Sequence, residues 1–144
     1  MNSFRLLAFL VLTASAYSVS AEDEVIDAVY ACSYSGGEPT CFIDEQNETL
    51  RQTFGVSDTI SGISLKPATL IAELTGLDSV KEAKSNGCMY QGHAEFVFKS
   101  FEVEPDEGGD YVTVQVASIN HDSGFSLPPI AEQAAKGFPD CKPH

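Results

Sequence analysis

Two β-rich runs joined by a turn constrain this chain more than any other stretch. Residues Ala94 to Glu104 (AEFVFKSFEVE) and Tyr111 to Ile119 (YVTVQVASI) are dense in β-branched and aromatic side chains, and Pro105 to Asp110 (PDEGGD) between them supplies turn chemistry. The pattern predicts a long β-hairpin over about 92–122. Its phase carries further information. Val112, Val114 and Val116 share one face of the second run, whereas Phe101 and Val103 lie on one parity of the first and Phe96 and Phe98 on the other. All four aromatic and aliphatic positions reach one face only if an extra residue is accommodated near Lys99 or Ser100, a β-bulge.

That register has a consequence for the histidines. With Val103 opposite Val112, the ladder beyond the bulge places Phe98 opposite Val116 and His93 opposite His121, with Asp122 next in sequence. Two neutral imidazoles with Asp122 or Glu95 could hold a divalent metal ion, and two groups titrating near neutrality could transfer protons in a hydrolase. They could equally sit at an exposed hairpin end without a role. No residue is assigned a catalytic function on this basis; His93, His121 and Asp122 stand as the candidates. The acidic turn region Glu102, Glu104, Asp106, Glu107 and Asp110 invites calcium, but Gly108 is misplaced for an EF-hand and alternate strand residues diverge. No cofactor is expected.

The chain opens like a secretory leader. Arg5 precedes an apolar run from Leu6 to Leu12, and Val19 and Ala21 suit the positions before a cut at Glu22. The expected organisation is a signal peptide over 1–21 and one secreted domain over 22–144, extracellular, or periplasmic if the source is a Gram-negative bacterium. Export agrees with the four cysteines, an even number suited to two disulfides in an oxidising compartment. Cys32 and Cys41 bracket the turn-rich Gly36, Gly37 and Pro39, which favours Cys32–Cys41 and leaves Cys88–Cys141. By loop entropy the first is worth roughly 2.5 to 3 kcal/mol and the second about 4 kcal/mol. No C-x-x-C or nearby histidine spacing suggests a metal site. Asn47-Glu48-Thr49 matches a glycosylation acceptor if the source is eukaryotic.

Elsewhere the pattern is weaker. Glu22 to Cys32 fits a helix face or a strand, and 44–64 reads as loops with a short strand. Pro67 to Ser85 predicts a helix, with Leu70, Ile71, Leu74, Leu77 and Val80 at helical spacing and Gly76-Leu77-Asp78 as a break. A second helix is expected from Pro128-Pro129 to Lys136, ending at Gly137. Together these give an α+β fold: a small antiparallel sheet centred on the hairpin, helices packed on one face, and two disulfides.

Charge then narrows the partners. The chain has 8 basic and 21 acidic side chains, and losing Arg5 with the leader makes its net charge one unit more negative than −13. Phosphate backbones and anionic lipid surfaces are recognised by basic patches, so neither nucleic acid nor membrane is expected as a partner. A protein or a cationic partner fits better. H-E-x-x-H, G-x-S-x-G and phosphate-cradling glycine loops are all missing from the sequence. The expected function is a secreted, acidic, disulfide-stabilised binding or inhibitor-type protein acting through its surface and loops. The alternatives are a small secreted hydrolase using His93 and His121, and an acidic matrix or ion-binding protein.

Overall fold

The structure, a computed structural model, describes residues 17–45 and 47–143, with side chains described from Glu24 onward. Residues 1–16 of the expected leader lie outside that range. The elements run β1 (Tyr17–Ser35), β2 (Glu38–Ile43), α1 (Glu48–Phe54), β3 (Ile60–Lys66), α2 (Ala68–Thr75), two 3-10 turns (Leu77–Ser79 and Lys81–Lys84), β4 (Tyr90–Asp106), β5 (Gly109–Asn120), β6 (Phe125–Ser126) and α3 (Ile130–Ala135). Among these residues no helix is long and apolar enough to cross a membrane.

The hairpin is β4 and β5, paired from Glu95↔Asn120 to Asp106↔Gly109. It is not the centre of a small antiparallel sheet with helices on one face. The chain forms a closed five-stranded mixed β-barrel with three short helices. Strand order is β1-β2-β3-β5-β4, and β4 pairs back onto β1. Two segments cause the closure. Residues 22–32, compatible with helix or strand in sequence, are strand, with Glu24 to Cys32 antiparallel to Phe98 to Tyr90. Residues 60–66 run parallel to β5, with Ile63 opposite Val112 and Leu65 opposite Val114. Both edges of the hairpin are thereby hydrogen-bonded, and closing the sheet removes edges that an open sheet would leave to other chains.

The barrel interior is the core. Phe96, Phe98, Phe101, Val103, Val112, Val114 and Val116 are all buried, together with Ile26, Ala28 and Tyr30 of β1 and Ile63 and Leu65 of β3. Two bulges bring this about. Phe98 faces Val116 while Ser100 faces Gln115, so Lys99 is an extra residue on β4. One pair further on, Val97 faces Ser118, so Ala117 is an extra residue on β5 and restores the register.

Short helices plug what the strands leave. In the stretch read as loops, Asn47 caps α1 by accepting the Leu50 N–H at 2.9 Å, and Leu50 and Phe54, one turn apart, enter the core. The Phe54 ring lies edge-on to Phe101 at 5.0 Å and 6.1 Å from Phe98. The predicted helix from Pro67 to Ser85 is interrupted where glycine breaks it: Gly76 takes a left-handed φ of 83° that ends α2, and two 3-10 turns follow. Ile71, Ala72 and Leu77 are buried beneath.

Disulfides join Cys32 to Cys41 and Cys88 to Cys141. The first links directly opposed residues of β1 and β2. The second ties the tail after α3 to the start of β4. The buried Gln133 of α3 reinforces that link, accepting from the Met89 N–H at 2.8 Å and donating to the Met89 carbonyl at 2.7 Å.

Candidate functional site

The outer face of β2, β3 and β5 carries a recess. β2 and β3 pair only through Cys41↔Leu65 and Phe42↔Ser64. Past this point Pro67, lacking an N–H, turns the chain into α2, while Thr40 and Pro39 continue along β1 opposite Ser33 and Tyr34. The strands part and leave a groove of about 490 Å³, lined by Thr40, Ser64, Lys66, Thr69, Tyr111 and Thr113 among others.

Alternation along β3 and β5 explains this composition. Ile63 and Leu65 point inward with Val112 and Val114, so the residues between them point out. Ser64 is thus level with Thr113, Lys66 with Gln115 and Gly62 with Tyr111. Glycine at position 62 leaves room for the ring: a Cβ there would sit 2.9 Å from Cε2 of Tyr111, so any side chain would push the ring aside. The Tyr111 ring lies across that backbone and remains 38% exposed, the one large aromatic among the strongly exposed hydrophobic residues described. A partly exposed ring, four Ser/Thr hydroxyls and one exposed lysine therefore share a concave surface. Away from the groove lining, Tyr34 packs against the core; its hydroxyl is buried without a hydrogen-bond partner among the described residues, and burial followed by the charge of Asp78 pushes its pKa up.

The sequence candidates lie elsewhere and do not converge. His93 is exposed on β4, its Nε2 2.9 Å from Oδ1 of the exposed Asp27 on β1. His121 follows the end of β5 with a φ of 51°. The second bulge separates them. With the register restored at Ala117, His93 no longer meets His121; its carbonyl accepts from the Ser123 N–H at 2.8 Å and its N–H donates to the Ser123 Oγ at 3.0 Å. Asp122 is turned inward, where Oδ1 accepts from the Tyr30 hydroxyl and the Gly124 N–H, each at 3.1 Å. Burial, followed by the negative charge of Asp122, raises the Tyr30 phenol far above its ordinary pKa. Glu95 accepts from Asn120 at 3.4 Å.

No group of three or more His, Cys, Asp or Glu side chains able to hold a metal is found among the described residues. At the acidic hairpin turn, Asp106 Oδ1 accepts from the Glu107 N–H at 2.8 Å. Asn47 is exposed, and its Nδ2 donates to Glu45 at 3.0 Å. Asp44 is a structural tie, accepting from Gln91 at 2.7 Å and from Lys136 at 2.6 Å.

The groove residues were not singled out in the sequence, although two signals pointed to them. Gly62 lies within an otherwise β-forming run, and Tyr111, Thr113 and Gln115 occupy the polar half of a strict alternation. Comparison of the chain with protein-family models, curated proteins and solved structures finds no match.

Proposed function

We propose that this is an exported, non-enzymatic binding protein that takes a hydroxyl-rich ligand, of the class of oligosaccharides, on the outer face of β2, β3 and β5. The observation that carries the reading is the groove in which Tyr111 lies across Gly62 beside Thr40, Ser64, Thr113 and Lys66. An aromatic ring offers a flat apolar surface to the C–H face of a sugar, and side chains that both donate and accept match its hydroxyls. Small five-stranded Greek-key barrels of the OB type bind oligonucleotides and oligosaccharides across the face of strands 2 and 3. A net charge of −13 opposes the first class of ligand and leaves the second. The leader pattern and the two disulfides support an oxidising destination outside the cytoplasm.

The test is a glycan array probed with the protein recovered from its secreting host, followed by Tyr111→Ala on the strongest ligand. Loss of a stacking surface worth about 1 to 2 kcal/mol lowers affinity roughly five- to thirtyfold, with the melting temperature nearly unchanged. Binding that survives Tyr111→Ala, or an array without a ligand, refutes the assignment.

A further inference from the structure

β1 pairs with β4 in two separate stretches. Besides Glu24 to Cys32, Tyr17 to Ser20 lies opposite Val103 to Ser100. Between the stretches the register shifts, with Ala21, Glu22 and Asp23 standing against the single residue Lys99. The expected leader cut before Glu22 falls inside this irregular stretch. Cutting there leaves the first pairing intact and carries the second away with the leader.

We propose that the exported protein presents the β4 edge at Ser100–Val103 as a strand-addition site for an extended partner segment in which apolar and basic residues alternate. This rests on the leader reading above and is independent of the groove. The other side of β4 remains paired, Ser100 with Gln115 through Val103 with Val112, so the edge is held extended before any partner arrives. Main-chain pairing to such an edge supplies affinity, and alternate side chains supply specificity. Phe101 and Val103 face the core, and the residues in register with them, Val19 and Tyr17, are apolar and aromatic. The occupant therefore needs apolar residues at those two positions. The intervening Glu102, in register with Ser18, is exposed and acidic. Opposite charges across a strand pair stabilise it and like charges destabilise it, so a basic segment fits and a second copy presenting this same edge does not.

The experiment uses the secreted protein with its N-terminus determined by sequencing. The probes are a peptide covering residues 15–21, its Ser18→Lys version, and that version N-methylated at the amides directed toward β4. The lysine peptide should bind about two- to fivefold more tightly than the unmodified one, the effect of one opposite-charge cross-strand pair with Glu102. It should also slow amide exchange at Ser100–Val103, and N-methylation should abolish binding. Glu102→Lys should reverse the preference between the two unmethylated peptides; should that variant not fold, Glu102→Gln should lower lysine-peptide affinity in the same direction. Binding that tolerates N-methylation, or amides that exchange unchanged, would show charge attraction without strand addition and overturn the proposal. No binding at all would overturn it equally. A secreted N-terminus at or before Tyr17 also overturns it while leaving the groove reading standing. Conversely, a glycan array without a ligand refutes the groove reading and leaves the edge assignment standing, so each can fail alone.

Discussion

Single residues in this barrel act through what their neighbours leave room for. Phe96 is fully buried, with its ring edge-on to Tyr30 at 5.5 Å, so Phe96→Ala should cost about 3 to 5 kcal/mol in denaturant unfolding. Gly62→Val should do something different. Its branched side chain would displace the Tyr111 ring from the groove floor, so ligand affinity should fall by far more than stability. Tyrosine protonation provides a third test. Tyr30 and Tyr34 both have folded pKa values raised above the ordinary 10.0, so above that pH the folded protein retains protons that the unfolded chain releases. Their contribution to stability is complete below about pH 10 and declines as pH rises beyond it. Rapid thermal scans from pH 9 to 11 should show the melting temperature falling, with a shallower fall in Tyr34→Phe.

At the scale of elements, the two bulges decide which residues meet. Lys99 is a register-neutral insertion: its neighbours Phe98 and Ser100 pair with consecutive residues of β5. Deleting Lys99 should leave the same inward face with the Ala117 bulge as the remaining irregularity, retaining cooperative unfolding while losing roughly 1 to 2 kcal/mol with the local bend. Deleting Glu102 should be far worse, because it puts Phe101 and Val103 next to each other and forces one of them out of the core. Circular dichroism and denaturant titration of the two deletions distinguish these outcomes. The second bulge also had a mark in the sequence. Ile119, which pairs with Phe96, breaks parity with Val112, Val114 and Val116. Reading only the first parity break leads to His93 opposite His121, whereas both together restore the register and separate the rings.

For the whole molecule, closure and cross-linking share the task of holding the ends. The Cys32–Cys41 pair spans 9 positions within a hairpin, and Cys88–Cys141 spans 53 and fixes the C-terminal segment. Replacing each pair by serines should therefore cost unequally, about 3 kcal/mol for the short loop and about 4 kcal/mol for the long one. Equilibrium unfolding of the two double variants checks the order. Loss of the long link should also increase proteolysis around α3, where Ile130 is 51% exposed and the element has only 6 residues.

What the sequence determined by itself were local and periodic features: the β4–β5 hairpin, its turn and first bulge, and the inward set of phenylalanines and valines. The spacing and setting of the cysteines likewise pointed to the two disulfides now in place. These follow from alternation and loop length, which are properties of neighbouring residues. Tertiary structure decided whether 22–32 was helix or strand, that 60–66 runs parallel to β5, and hence that the sheet closes into a barrel. Each depends on a partner strand far away in sequence, because a short β-branched stretch commits only when hydrogen bonds and a core face are offered to it. The candidate site followed the same division. The outward parity of Tyr111 and Thr113 was legible along the chain, but their meeting with Ser64 and Thr40 required β3 and β2 to be brought alongside and then to part at Pro67.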